Sequence, residues 1–413
     1  MKTGLWSATL TLLAGGALAQ ALPLLLGPWI TRLYTPNEFG GFSLVWVVAS
    51  NLAVAACARY EFALPMAQDD DEAAQLMALC LRALVGVAAA SLLLALALGL
   101  WQQMPWAALL PLAVVSAAAA QWLTMWATRA KAFQRLAWAR VLQWGGAAVL
   151  QVVLGLLAWG AWGLLAAPVI AGLAAAWLLA APAPQGGWGA LLARPWRELR
   201  AVALRHRDFP LFNTPHAFAG ALQDSLAMLL ISAWTGDAAA GYWALALRYL
   251  KAPAGLVGGA LSQTLYPRLV QAESGPEALQ LIRQALLALA ALALPLVAVL
   301  MLWGPWLFAT VFGERWHEAG ALARALAPYI GLHFIASPLS VATMAWRAQS
   351  WALRLALVGQ VLYVLGLAVG LFYGGLIGAA WGVSAAMLLY FGYFFWKLAT
   401  WQKFPPILER GEA

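Results

Sequence analysis

Two cations stand three residues apart in an otherwise apolar stretch, Arg248 and Lys251, with Tyr249 and Leu250 between them. Residues three apart share one face of a helix, so the pair forms a doubly positive face suited to an anion, and phosphate fits it. Asp224 is the only acid deep in any apolar run. Each such charge costs roughly 2.5–3.5 kcal/mol to place at the middle of a bilayer span, and these residues mark partners or substrate paths. Gly236 centres the turn between the two segments, 12 residues from Asp224 and 12 from Arg248. At 1.5 Å per residue each lies about 18 Å from that turn, which sets both charges at one depth. A salt bridge between them is the plain structural reading, and it leaves Lys251 for a substrate anion. Gln20, Asn51, Gln121, Gln143, Gln151 and Gln360 are the uncharged polar residues of the apolar runs, and hydrogen bonding between helices is the ordinary reading for each. Gln20 and Asn51 stand out, because an internal offset of 200 residues sets Asn51 opposite Lys251.

The elements that must hold these residues are bilayer spans. Apolar residues make up 64% of the 413, charged residues 10%, and the mean hydropathy is +0.79. A soluble domain carries about 25% charge, so lipid is the solvent for most of this chain. Uncharged runs cover 3–31, 39–58, 83–128, 141–193, 284–313, 325–346 and 355–396. A span needs roughly 20 apolar residues, so three runs are of double length. They break at Trp101–Pro105, Trp159–Gly163 and Tyr373–Gly375, where Gly, Pro and interfacial aromatics mark turns. With two spans in 209–270 the total is twelve. Lys2 and Ala17-Leu18-Ala19 imitate a signal peptide, but the apolar run continues to Ile30, so the first segment is read as a span. With the amino terminus inside, 19 of the 24 cations fall in cytoplasmic segments and three (Arg32, Arg315, Arg324) outside, which sets both termini in the cytoplasm. The +8 charge therefore reflects topology and not nucleic acid. Cys57 and Cys80 lie near cytoplasmic ends and are expected to stay reduced.

The expected fold is an all-α integral membrane protein of twelve transmembrane helices in two six-helix lobes around a central cavity. The lobes are 1–181 and 210–400, joined by a basic amphipathic linker at 182–209 and followed by a tail at 401–413. Leu191, Leu192, Trp196 and Leu199 share one face of the linker, and its arginines suit an anionic inner leaflet. Internal duplication supports the two lobes. Gly40-Gly41-Phe42 and Ala240-Gly241-Tyr242 recur at an offset of 200, while Gly160 to Gly163 and Gly375 to Gly378 recur at 215.

Several chemistries have no residues to carry them. There is no phosphate-cradling Gly-x-x-x-x-Gly-Lys loop. His206, His216, His317 and His333 are scattered without metal-ligand spacing, so no metal and no cofactor is expected, and the chain is not expected to be an enzyme. Asp69-Asp70-Asp71-Glu72 imitates a metal clamp, but it precedes the third span, where carboxylates suit a helix amino terminus. Trp29, Trp101, Trp106, Trp234, Trp306 and Trp401 fall at span ends and read as belt anchors.

Three motifs resemble one family. They are Arg59-Tyr60-Glu61-Phe62-Ala63-Leu64-Pro65 with Asp69-Asp70-Asp71-Glu72-Ala73, Arg207-Asp208-Phe209-Pro210-Leu211-Phe212-Asn213, and Gly241-Tyr242-Trp243-Ala244-Leu245-Ala246-Leu247-Arg248. They are similar to bacterial Wzx-like polysaccharide and O-antigen flippases, in the polysaccharide-transporter branch of the multidrug/oligosaccharidyl-lipid/polysaccharide exporter superfamily. The resemblance implies an inner-membrane flippase that carries an undecaprenyl-pyrophosphate-linked oligosaccharide to the periplasmic leaflet for O-antigen, capsule or exopolysaccharide assembly. The expected substrate-binding set is Arg248, Lys251, Asp224, Asn51, Gln20 and Arg59. Expected partners are that lipid-linked oligosaccharide, membrane lipids and other polysaccharide-assembly proteins, the chain acting as a monomer without nucleic acid. A cation-coupled drug exporter of the same superfamily is the alternative, and a membrane polymerase or glycosyltransferase a distant third.

Overall fold

The computed structural model describes residues 2–102, 105–181, 183, 184, 186–272, 274–402 and 404. The tail expected at 401–413, with Lys403 and Arg410, lies mostly outside the described residues. Packing divides the chain into two compact units, Met1–Met228 and Leu229–Ala413.

The first unit contains α1 (Lys2–Leu33), α2 (Pro36–Ala55), α3 (Asp70–Gln102), α4 (Leu110–Arg129), α5 (Phe133–Leu156) and α6 (Gly160–Leu179). Two short helices follow, α7 (Gly187–Ala193) and α8 (Trp196–Arg205), and then α9 (Thr214–Thr235), which crosses the division. The second unit holds α10 (Asp237–Gln271), α11 (Gly275–Phe312), α12 (His317–Leu339) and α13 (Gln349–Ala399). No strand occurs among the described residues. Eight segments are long and apolar enough to cross a bilayer. The 51-residue α13 is two spans merged across non-helical Gly374 and Gly375, and α1, α9 and α10 complete twelve. The chain is thus an all-α membrane protein of twelve crossing helices.

The helices stop where the sequence places its breakers. α3 ends at Gln102 and α5 at Leu156, just ahead of Pro105 and Gly160. Left-handed backbone closes these turns at Ala158 (φ 57°), Gly160 (φ 55°), Gly236 (φ 87°) and Gly375 (φ 57°). Gly160 and Gly375 are the residues matched at the offset of 215, and both have a positive φ where a helix begins.

In the first unit α4 packs against α2, α3 and α6, while α1 lies along α5. α5 carries a π-helical turn at Val141–Gly146, where Gly145 sits directly beneath Leu22 of α1. The turn before α2 is secured by polar groups: Tyr34 Oη donates to the Gln151 carbonyl at 2.7 Å, and Gln151 Nε2 donates to the Leu164 carbonyl at 3.1 Å. In lipid such internal satisfaction is obligatory, and it fulfils the expected interhelical role of Gln151.

In the second unit α12 packs against α10, α11 and α13. The two arms of α13 close on each other through Gly366 and Gly370 against Gly378 and Gly382, so closely that a Cβ on Gly370 would overlap the Gly378 carbonyl. Small residues four apart give transmembrane helices this approach. Leu93, Leu287, Leu294, Phe372 and Leu389 point outward, largely exposed. In water that apolar surface would be untenable, and it forms the lipid-facing side of the units.

Two sequence expectations need correction. Trp29, Trp234 and Trp306 are exposed near span ends, as a belt anchor must be, and the side chains of Trp101 and Trp106 lie outside the described residues. Trp401 instead is buried, stacked on Trp346 at 5.6 Å and edge-on to Trp351 at 5.1 Å, because the chain turns back past the end of α13. The linker's apolar face is also divided. Leu191 and Leu199 are fully buried as α7 and α8 pack on α3, and only Leu192 and Trp196 stay exposed.

Candidate substrate site and the basic end of the first unit

α10 begins behind Gly236, with Asp237 in its first turn accepting a 2.6 Å hydrogen bond from Ser232 Oγ. Ala239, Trp243, Ala246, Leu250 and Ala254 are buried on one face of it, spaced by three and four residues as a packed stripe requires. Trp243, with Trp316, is among the largest fully buried side chains of the described residues. Flanking aromatics add to the seat: Tyr242 meets Trp316 at 5.9 Å and Tyr249 meets Phe312 at 4.5 Å. Arg248 and Lys251 lie off that stripe, three residues apart, and both are half-buried. Pro253 stands within the helix two residues later. Proline has no N–H to donate within the helix.

The remaining expected residues are spread along the first unit. Asp224 lies on α9 with its side chain exposed, and Gln20 is exposed on α1. Asn51 is buried in α2. Its amide nitrogen donates to the Val47 carbonyl at 2.9 Å and to Ser225 Oγ. Asn51 therefore joins α2 to α9 beside Asp224. Arg59 caps the short 3-10 helix Tyr60–Met66 in a left-handed conformation (φ 63°). Its guanidinium stacks 4.9 Å from the ring centroid of Phe62. Arg248 and Lys251 thus stand together on one helix, while Gln20, Asn51 and Arg59 occupy separate places within the first unit.

The family-like motif at 59–73 builds the most heavily charged part of the first unit. Asp69 Oδ1 accepts from the Glu72 backbone N–H at 2.7 Å, and Glu72 Oε2 accepts from the Gln68 N–H at 2.7 Å. The acidic run thus starts α3, as its position in the sequence implied. Basic residues then gather on it. Arg129 reaches Asp70 at 3.1 Å and donates to the carbonyls of Ala67 and Asp69 at 2.6 and 2.9 Å. Arg194 meets Asp71 at 2.7 Å, and Arg205 and His206 meet Glu72 at 2.9 and 3.1 Å. Arg82 donates to the carbonyls of Leu192 and Arg194, so α7 and α8 are fastened to α3 at several points.

Beneath this layer Glu61 is buried, with Oε1 accepting from Gln121 Nε2 at 2.9 Å. Burial pushes its carboxyl above the usual range, against the charge of Arg59 and the Gln121 bond. Sequence reading missed Ser225, Glu61 and the gathering on Glu72. Only the helix-start signal of Asp69 to Glu72 was visible there.

Twelve apolar helices in two units, with buried polar ties and two cations within a span, define a membrane protein of transporter architecture. Among solved structures, a lipid II flippase MurJ in an inward closed conformation is similar at TM-score 0.67 and 11% identity, covering 98% of this chain and 90% of that one. A mutant of the MATE transporter VcmN from Vibrio cholerae is similar at TM-score 0.52 and 17% identity, covering 96% and 95%. A transporter of the MOP superfamily from Pyrococcus furiosus is similar at TM-score 0.52 and 15% identity, covering 95% and 94%. At these identities the likeness shows the fold. No curated protein sequence matches the chain. The profile of the family described as "Polysaccharide biosynthesis protein" matches residues 29–321, and the chain belongs to that family.

Proposed function

We propose that the protein translocates a polyprenyl-pyrophosphate-linked oligosaccharide across the bacterial inner membrane, from the cytoplasmic to the periplasmic leaflet, by alternating access. The observation that carries this reading is the pair Arg248 and Lys251, three residues apart and half-buried within the apolar helix α10. A polysaccharide-assembly protein with two cations within a span has the charge to take a pyrophosphate there. The likeness in fold to a lipid II flippase supports a lipid-linked cargo. Asp224, 12 residues before Gly236 as Arg248 is 12 after it, is the acid of the proposed set. Asn51 holds α2 to α9 through Ser225, and Gln20 and Arg59 complete the proposed set of polar groups for the substrate. One acid against two bases favours an anionic cargo over the cationic drugs of an exporter. O-antigen, capsule or exopolysaccharide is the destination of the glycan.

The test is genetic deletion followed by analysis of lipid-linked glycans on each membrane face. Accumulation of complete repeat units on the cytoplasmic face is expected; their normal appearance in the periplasm would sink the proposal. Lys251→Ala should lose translocation while still inserting and folding. Full complementation by both Arg248→Ala and Lys251→Ala would remove the cations from the mechanism. The orientation is checked with Arg197→Cys, labelled only from the cytoplasm, and Glu314→Cys, labelled only from outside; both positions are exposed.

A further inference from the structure

We propose that Cys57, Glu61 and Cys80 form a binding site for a thiophilic divalent cation of the zinc class. Cys57 lies in the turn that follows α2, Glu61 in the 3-10 helix after it, and Cys80 in the third turn of α3. Their two sulfurs and a carboxylate oxygen all lie within 4.8 Å of one another, and all three residues are buried. Zn–S bonds of about 2.3 Å and Zn–O bonds of about 2.1 Å in tetrahedral geometry require separations of roughly 3.6–3.8 Å between such atoms. An inward shift of an ångström or less closes the set.

A second observation points to a ligand independently of that proximity. Glu61 is 2% exposed and Gln121 holds its Oε1, while Oε2 is buried with no hydrogen-bond partner among the described residues. A buried carboxylate oxygen without a partner is costly, and a cation removes that cost. The Gln121 bond fixes the carboxylate plane and leaves one oxygen for coordination, the arrangement of an outer-shell partner. Both cysteines are free, and the Cys57 thiol points at the Cys80 carbonyl, with sulfur and oxygen 3.8 Å apart.

Two thiolates and a carboxylate favour a soft or borderline cation over magnesium or calcium. On binding, the two thiols release their protons to water, and a water takes the fourth position. With Arg59 beside Glu61, the charge of the bound set is offset. The metal would clamp the end of α2 to α3 across a turn in which Ala58 (φ 48°) and Arg59 (φ 63°) are both left-handed.

The full chain, purified in detergent under reducing conditions, loaded with zinc and desalted, should retain about one zinc per chain by elemental analysis. Cobalt in its place should give the visible bands of a tetrahedral ion and sulfur-to-metal charge transfer, a reading on the parent protein that needs no variant. Cys57→Ser with Cys80→Ser should abolish the charge transfer and reduce retained zinc at least tenfold. Gln121→Leu should weaken zinc about 10–100-fold. Retention below a tenth of an equivalent would overturn the proposal. So would retention unchanged in the double serine variant, an octahedral cobalt spectrum, or an intact mass showing a Cys57–Cys80 disulfide.

Discussion

The two units fasten their basic ends in different ways. In the first, Arg129, Arg194, Arg205 and His206 converge on Asp70, Asp71 and Glu72. In the second, α11 starts from Ser274, whose hydroxyl accepts from the Glu277 N–H, and the nearby ties are rings. Trp346 stacks on Trp401 and meets Phe404 at 5.4 Å, while Trp351 stacks on Phe394. The cations there contact carbonyls and aromatic faces. Arg283 donates to the Ala399 carbonyl at 2.9 and 3.1 Å, and Lys397 lies about 6 Å from the rings of Trp396 and Trp401. The first unit thus secures its basic end through charge, and the second through aromatic packing. A ring cluster responds to lost volume, whereas an ion-pair layer responds to salt.

The largest effect is expected in the aromatic cluster. Trp346 is buried beneath Trp401 and Phe404, and truncating a large buried aromatic costs about 3–5 kcal/mol. Trp346→Ala should lower the midpoint of thermal unfolding in detergent markedly, by the same amount at low and high salt. A loss that shrinks as salt rises would show that charge, not packing, holds this corner.

Glu72→Ala comes next. Glu72 accepts from the Gln68 N–H and receives both Arg205 and His206, and bonds to a charged acceptor are worth about 1.5–3 kcal/mol each. Arg205 is largely exposed and is rehydrated when its partner is lost, so the total should stay near about 2–3 kcal/mol. α7 and α8 should detach before the spans do, seen as faster backbone hydrogen exchange over 187–205 than over α4. Equal protection in variant and parent would mean that Leu191, Leu199 and Val202 hold the connector without the charges.

Much of this was legible from composition alone, and the rest was not for identifiable reasons. The spans and their breaks follow from apolar runs of bilayer length punctuated by Gly, Pro and Trp, so Gly160, Gly236 and Gly375 sit where turns were expected. The helix-start reading of Asp69 to Glu72 held because capping is local. Its basic partners did not show, because Arg129, Arg194 and Arg205 counted equally well as orientation charges and only tertiary packing brings them to the acids. Asn51 and Ser225 are 174 residues apart, and Glu61 and Gln121 are 60 apart; no spacing rule reaches that far. Trp401 misled because a tryptophan at a span end faces lipid or packs inward according to where the following chain goes. The cations of α10 were legible because a charge inside a long apolar run needs no partner to be conspicuous.

The smallest expected effect sharpens the comparison most. Asp71 is more than half exposed and pairs with Arg194, which also lies 3.7 Å from Glu198. With a second carboxylate in reach, losing Asp71 leaves Arg194 partly compensated, and exposed pairs are worth about 0–1 kcal/mol. Asp71→Asn should therefore change stability by less than the Glu72 variant at every salt concentration. What it changes should vanish at 1 M salt, where the screening length falls to about 3 Å. In the double variant with Glu198→Gln, Arg194 keeps only its place above α3, and the loss at low salt should exceed the sum of the two single losses, because each acid substitutes for the other. Strict additivity, measured by unfolding midpoints of the four proteins, would mean that the acids act on Arg194 independently and that the first unit's basic end is a set of separate pairs. Coupling would make it a network, with a cooperativity that the ring cluster of the second unit reaches by packing.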